Sequence, residues 1–108
     1  MNASPQFAAL ADPTRRAVLE AIARSPQSVA ELAGQLPVSR PAVSQHLKVL
    51  QGAGLVEFHR VGNRSIYQAD RAGLMALRTY LDALWAQALH SLKTVAETTY
   101  RESQQKDQ

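Results

Sequence analysis

The 108-residue sequence has no cysteine, and this absence limits its chemistry at once. Without thiols there are no disulfides, no thiolate metal ligands, no cysteine nucleophile and no thiol redox sensor. Long apolar runs are missing too, since none approaches the ~20 residues that a membrane-spanning helix needs. The first residues, 1–5, do not follow the basic-then-apolar pattern of a signal peptide. We therefore expect a cytoplasmic protein without a membrane partner.

Charged residues are few, at 19% of the chain, but they are unevenly distributed. The formal net charge is +3, and residues 1–38 and 65–108 are each balanced, so the whole excess lies in residues 39–64. The charged side chains of that stretch are Arg40, Lys48, Glu57, Arg60 and Arg64. A local basic excess favours an anionic partner such as nucleic acid, although a mildly unbalanced solvated surface has the same composition.

Caps and breakers divide the first half of the chain into four predicted helices. Ser4-Pro5 and Asp12-Pro13 each begin one, because proline suits an early helical position whose N–H would be unpaired anyway. Ser28 begins the third with an S-x-x-E capping box, and Ser39 caps the fourth. Apolar residues at helical spacing should face inward. They are Val18, Leu19, Ile22 and Ala23 in the second helix, Val29, Leu32, Ala33 and Leu36 in the third, and Val43, Leu47 and Leu50 in the fourth.

A β-hairpin and a long helix make up the predicted second half. β-Branched and aromatic residues favour strands at 55–61 and 64–69, joined by the two-residue turn Gly62-Asn63. Asp70 then caps a helix that has no breaker from Leu74 to about residue 102, and residues 103–108 form a polar, frayed tail. We therefore expect a single domain at residues 1–102.

This order of elements, mainly α-helical with a β-hairpin, is that of a winged helix-turn-helix, in which the second helix of the pair contacts DNA. At 3.6 residues per turn, the side of the fourth helix opposite its apolar residues faces outward. The residues of that side, with its cap, are Ser39, Arg40, Pro41, Ser44, Gln45 and Lys48. The arginine, serine, glutamine and lysine side chains among them can bond base edges and phosphates. A solvated helix is the alternative, but such a helix usually mixes charge signs, and residues 39–54 contain no acid.

The tip of the predicted hairpin is basic as well. Arg60 and Arg64 lie on either side of the turn, and Asn63 lies in it. A basic tip suits contact with DNA phosphates or a groove, whereas surface hairpins also carry arginine to protect an edge strand. Beside the basic helix, contact with DNA is the better hypothesis.

Together these motifs resemble the ArsR/SmtB family of bacterial transcriptional repressors. The similar stretches are FAALADPTRR at 7–16, VSRPAVSQHLKVL at 38–50, GLV at 54–56 and RVGNRSIY at 60–67. The resemblance implies a homodimer that binds a palindromic double-stranded DNA operator and leaves it when an effector binds or a metal arrives; the identity of the effector stays open. It also implies that Arg40, Pro41, Ser44 and Gln45 face DNA. His46 falls on the flank of the helix nearer the core, so we expect it to be mainly structural.

The sequence departs from the metal sensors of that family at their metal-binding positions. Where arsenic and cadmium sensors have a Cys-x-Cys pair, residues 33–35 are Ala-Gly-Gln, which cannot ligate a soft metal. The last helix has Asp82, His90 and Glu97 without the spacing of the zinc sensors. The resemblance is therefore to a cysteine-free branch without the usual metal sites, and we expect no metal and no cofactor.

The last helix is longer than a domain of this size can cover. About 30 helical residues span ~45 Å, against a radius of ~13 Å for a globule of about 100 residues. A leucine stripe is usually buried within its own domain, but the surplus here predicts pairing with a second copy, aided by the first helix. The predicted dimer residues are Phe7, Leu10, Leu77, Leu81, Leu84, Trp85, Ala88 and Leu92.

The sequence thus predicts a homodimeric DNA-binding regulator, expected to act as a repressor. It does not predict an enzyme, because three dispersed histidines and no cysteine form no catalytic constellation. Two alternatives stay open. One is a metal-responsive repressor with a non-standard histidine and carboxylate site, for instance through His90 of both protomers. The other is a winged-helix adaptor that binds proteins and has lost DNA binding.

Overall fold

The computed structural model describes residues 3–106, which form five helices and one β-hairpin. The elements are α1 (Ser4–Leu10), α2 (Pro13–Arg24), α3 (Val29–Gln35), α4 (Arg40–Gly52), β1 (Val56–Val61), β2 (Arg64–Ala69) and α5 (Arg71–Lys106). The chain divides into two compact units, the first ending at Leu77 and the second beginning at Arg78, so that α5 contributes to both. Within the described residues, no helix is long and apolar enough to cross a membrane.

Hydrogen bonds confirm the predicted starts of α2, α3 and α4. Asp12 Oδ1 accepts the Arg15 N–H at 3.0 Å, and Ser39 Oγ accepts the Ala42 N–H at 3.3 Å. The α3 capping box is complete, as described with the interface below. Helix α1 differs, because Ala3 is its N-cap and Ser4 is already helical. Ala3 is buried, so packing rather than a side-chain cap fixes that end.

The core of the first unit consists of the apolar stripes of α2, α3 and α4 and the residues that lead into the hairpin. Its most deeply buried large side chains are Val18, Ile22, Leu32, Val43, Leu47, Leu50, Leu55 and Val56. One predicted inward residue is wrong, since Ala23 is exposed and Ala21 is buried instead. At 100° per residue, Ala21 lies nearer than Ala23 to the midline between Val18 and Ile22.

The hairpin has the predicted turn, with β1 beginning at Val56, one residue later than expected. Gly62 in the turn has a φ of +62°, a conformation that favours glycine. A third backbone segment joins the sheet, which the sequence did not predict: the Gln27 N–H donates to Tyr67 O at 3.0 Å, and the Tyr67 N–H donates to Gln27 O at 2.8 Å. The buried Gln27 side chain donates to Ala21 O at 2.8 Å and accepts from Gln35 at 2.6 Å. These bonds fix the base of the hairpin against α2 and α3.

Helix α5 begins in close contact with the loop that follows α4. Asp70 caps it as predicted, accepting the Ala72 N–H at 3.0 Å. Gly73 is buried, and a Cβ there would lie 1.8 Å from the carbonyl oxygen of Gly54. Leu77, at 8% exposure, belongs to the core of the first unit. Absence of a side chain at residue 73 therefore permits this approach of helix and loop.

The second unit is the remainder of α5. The helix continues to Lys106, beyond the predicted end near residue 102. Every side chain from Arg78 to Gln104 is exposed, including the apolar ones.

Candidate nucleic-acid interface

Helices α3 and α4 form a helix-turn-helix whose second helix presents a polar surface to solvent. Val43, Leu47 and Leu50 are buried, as the helical period predicts. The opposite side is exposed at every predicted position, namely Arg40, Pro41, Ser44, Gln45 and Lys48. We call Arg40, Ser44, Gln45 and Lys48 the recognition surface. It combines two cations with side chains that can donate to and accept from base edges. The outward placement is confirmed, and contact with DNA stays a prediction.

Ser39 has a structural task at the start of this helix, because its hydroxyl oxygen accepts the Ala42 N–H. Its O–H remains a donor that could also serve a phosphate. His46 is half-buried on the flank of α4, in keeping with its predicted structural role. The pKa of Asp12, which caps α2, lies below its ordinary value, chiefly because the Arg15 N–H donates to its carboxylate.

Two arginines outside this surface form hydrogen bonds to the backbone of α1. Arg15 donates through Nε to Ala9 O, and Arg16 donates to Leu10 O at 2.7 Å. Both acceptors are carbonyls of the last turn of α1, which have no partner within the helix. Arg15 and Arg16, at the end of the stretch FAALADPTRR, therefore cap the C-terminal end of α1. No local pattern in the sequence predicts this role.

The wing, which is the hairpin of β1 and β2, places its three predicted contact residues at or near its exposed tip. Arg60, Asn63 and Arg64 are all exposed. Arg64, however, already has partners, since its Nη2 group donates to Ser28 Oγ at 3.2 Å and forms an ion pair with Glu31. Glu31 Oε1 also accepts the Ser28 N–H at 3.1 Å, and Ser28 Oγ accepts the Glu31 N–H at 3.2 Å, which completes the capping box of α3. The sequence predicted the capping box but not its contact with the wing.

An open cleft of about 410 Å³ lies beside the recognition surface, between the starts of α3 and α4 and strand β2. Its lining residues are Ser28, Val29, Ala30, Arg40, Arg64, Ser65 and Tyr67. Two guanidinium groups and three hydroxyl groups thus border one concave surface. Arginine clusters with hydroxyl donors are typical of phosphate recognition.

The predicted dimer residues fall into two groups. Leu81, Leu84, Trp85, Ala88 and Leu92 are exposed along one side of α5 in the second unit, with Trp85 at 67% and Leu92 at 65% exposure. We call these five residues the α5 stripe. Leu77 packs in the core of the first unit, and Leu10 is partly buried against that core. These two side chains are therefore largely covered within one chain, whereas Phe7 is 41% exposed.

The residues present do not fit the metal sites of the related sensors. Ala33 and Gly34 carry no ligating atom, and Gln35 Nε2 donates to Gln27. Across the described residues, no group of three or more histidine or carboxylate side chains could hold a metal ion. His90 is exposed on α5.

Known proteins with similar sequences are regulators of transcription. A family profile described as a helix-turn-helix domain matches residues 10–57. The HTH-type transcriptional regulator Rv2034 of Mycobacterium tuberculosis is 60% identical over 81 residues, which cover 75% of this chain and 76% of that protein. A transcriptional repressor SmtB homolog of Synechocystis is 39% identical over 79 residues, covering 72% of this chain and 60% of that protein.

Solved structures that resemble this fold are also described as regulators of transcription. An ArsR-like transcriptional regulator from Rhodococcus sp. RHA1 superposes with a TM-score of 0.70 at 41% identity, covering 87% of this chain and 92% of that chain. A structure described as a possible transcriptional regulator for arsenical resistance has a TM-score of 0.67, also at 41% identity, covering 74% of this chain and 83% of that chain. The match extends over the helix-turn-helix and beyond it.

Proposed function

Because the chain belongs to the ArsR/SmtB family of winged helix-turn-helix transcriptional regulators, we propose that it is a homodimeric repressor of a palindromic DNA operator. Members of this family are DNA-binding regulators and not enzymes. A cytoplasmic location follows from the proposed access to DNA.

The recognition surface carries this proposal. It is exposed, contains two cations, and belongs to a helix whose other side is buried in the core. The core contacts hold α4 in one orientation, so its outward side chains are presented together. In the proposed complex, α4 lies in the major groove, where Arg40 and Lys48 contact phosphates or guanine and Gln45 reads a base edge. The wing residues Arg60, Asn63 and Arg64 contact the flanking backbone or minor groove.

The α5 stripe supports a second copy as the partner. Its apolar side chains border a shallow groove of about 480 Å³ formed by Leu81, Asp82, Leu84, Trp85 and Ala88. A contiguous apolar surface of this kind marks an interaction site in a soluble protein. A palindromic operator presents two half-sites about 34 Å apart, so two recognition helices are needed and one chain offers one. Pairing of two copies along the α5 stripe both supplies the second recognition helix and covers the apolar surface.

A salt titration of DNA binding tests the function. The probe is a fragment from upstream of the protein's own gene, compared with a duplex of mixed sequence of the same length. In a gel-shift assay, we expect a slower-migrating complex with the upstream fragment. Its affinity should fall steeply as the salt concentration rises, because phosphate contacts release counterions. Arg40→Ala should weaken the complex, whereas Glu20→Gln, at an exposed position on α2, should not weaken it. Binding to neither duplex at low salt would contradict the proposal and favour the protein-binding adaptor.

A further inference from the structure

One ion pair joins the wing to helix α3 beside the recognition surface. Arg64 Nη2 donates to Ser28 Oγ at 3.2 Å and to Glu31 Oε1, across 36 and 33 residues of sequence. Within residues 3–104, Nη2 is the one nitrogen of this guanidinium that has an acceptor. Arginine has five N–H donors, and those on Nε and Nη1 take no part in this contact. The side chains of Arg64 and Glu31 are 58% and 49% exposed, which leaves the pair accessible.

Glu31 places a fixed negative charge beside this basic surface. Its pKa is held below the ordinary value, first by the Ser28 N–H and hydroxyl and then by the Arg64 guanidinium. The carboxylate is therefore ionised at neutral pH. Residues 39–54, which include the recognition surface, contain no acid at all. The negative charge beside the cleft is therefore supplied by Glu31 of α3. Its charge partly cancels that of Arg64, which lowers the attraction of the cleft for phosphate.

The cleft offers Arg64 an alternative partner. Arg40 lines the same cleft and, in the part of the chain that the structure describes, forms no ion pair. A phosphate between the two arginines would accept from both, and charge-assisted bonds of arginine to phosphate are strong and often bidentate. An exposed ion pair in water is weak by comparison. Counterion release from DNA adds to the phosphate's advantage.

We propose that Glu31 and a DNA phosphate compete for Arg64, so that Glu31 is a positioning residue that opposes DNA binding. In the free protein Glu31 and Ser28 hold Arg64 at the rim of the cleft. On DNA the arginine turns to a phosphate and leaves Glu31 bonded to the Ser28 N–H alone. This inference rests on the DNA-binding function proposed above and adds a residue that sets its strength without contacting DNA.

Glu31→Gln separates this role from the capping of α3, because glutamine also completes a capping box. The matched control is Glu57→Gln, which removes the same charge from β1, where Glu57 accepts from Gln68 at 2.8 Å rather than from an arginine. Each substitution is made alone and together with Arg64→Ala. Affinity is measured by fluorescence anisotropy on a labelled duplex of mixed sequence, about three helical turns long, between about 50 and 200 mM salt.

We expect Glu31→Gln to bind DNA about two- to fivefold more tightly, the range that loss of an exposed ion pair allows. The gain should exceed that of Glu57→Gln, shrink as salt rises, and fall to the control's value when Arg64 is alanine. A gain no larger than the control's, or one that persists undiminished without Arg64, would overturn the competition.

A second measurement does not depend on how any Glu31 variant folds. In the native protein, the side-chain ¹⁵N–H signal of Arg64 should shift when the duplex is added, and a signal that stays unchanged at saturation would overturn the competition. If the native protein binds no DNA at all, the proposed function fails and this inference fails with it. If it binds, and Arg40→Ala weakens binding, but the Glu31 and Arg64 effects are additive, the competition alone is refuted.

Discussion

Gly73→Ala should destabilise the protein, although alanine favours helices over glycine. The added Cβ would lie 1.8 Å from Gly54 O, 2.6 Å from Gly54 C and 3.2 Å from Leu55 N. All three atoms belong to the backbone, so no side-chain rotation relieves the clash. Either the first turn of α5 or the loop after α4 must move by about 1.5 Å to restore an ordinary contact.

Two opposing effects set the size of this change. Glycine to alanine within a helix favours folding by about 1 kcal/mol. Overpacking in a rigid site costs about 1–3 kcal/mol, and a clash with backbone belongs at the upper end. The free energy of unfolding should therefore fall by about 1–2 kcal/mol, which lowers the unfolding midpoint by about 5–15 °C in a domain of this size.

Gly34→Ala is the matched control. Gly34 also lies within a helix, but a Cβ there would have no atom within 4 Å. This variant should gain up to about 1 kcal/mol, because only the helix preference changes. Thermal unfolding followed by circular dichroism, at equal protein concentrations, measures both. If Gly73→Ala were as stable as the native protein, or Gly34→Ala lost as much as Gly73→Ala, the packing of α5 against the Gly54 loop would be refuted.

The remaining predictions concern assembly, base reading and metals. Leu84→Glu should yield monomers in sedimentation and weaken operator binding, because an unpaired charge in an apolar interface costs several kcal/mol, whereas Ala83→Glu, also exposed but on the other side of α5, should stay dimeric. Gln45→Ala should weaken the free energy of operator binding by about 1–3 kcal/mol and relax base preference, without changing the slope of log affinity against log salt concentration. Arg60→Ala should lower that slope by about one unit per phosphate contact. Zn²⁺, Cd²⁺ or arsenite should leave operator affinity unchanged, and a tenfold loss with any of them, about 1.4 kcal/mol of coupling, would contradict this.

Local signals explain how much of the fold could be predicted. Each helix cap, at Asp12, Ser28 and Ser39, bonds a backbone N–H three residues further on, and the hairpin turn requires the positive φ of Gly62. The residue types at these positions were therefore sufficient to predict the helix starts and the turn. The bridge between Gln27 and Tyr67 joins residues far apart in sequence and depends on the assembled core. Nothing near Gln27 marks it as part of a sheet, and for that reason the third segment was missed.

In the candidate site too, local features could be predicted from the sequence, whereas contacts between distant residues could not. The helical period places Gln45 and Lys48 opposite the core, because both sides of one helix follow from a single repeat. It does not say which charged side chains are already paired. The sequence predicts that Arg64 contacts DNA at the wing tip, but its ion pair with Glu31 arises only when the wing packs beside α3. The buried position of Leu77 likewise depends on where α5 leaves the core.

Hydroxyl-radical footprinting on the fragment upstream of the protein's own gene tests the central claim most directly. That claim is that two copies place their α4 helices in successive major grooves of one palindromic site. We predict two protected patches related by a two-fold axis and centred about one helical turn apart, roughly 34 Å, both lost with Leu84→Glu. A single protected patch, or uniform protection without symmetry, would contradict it.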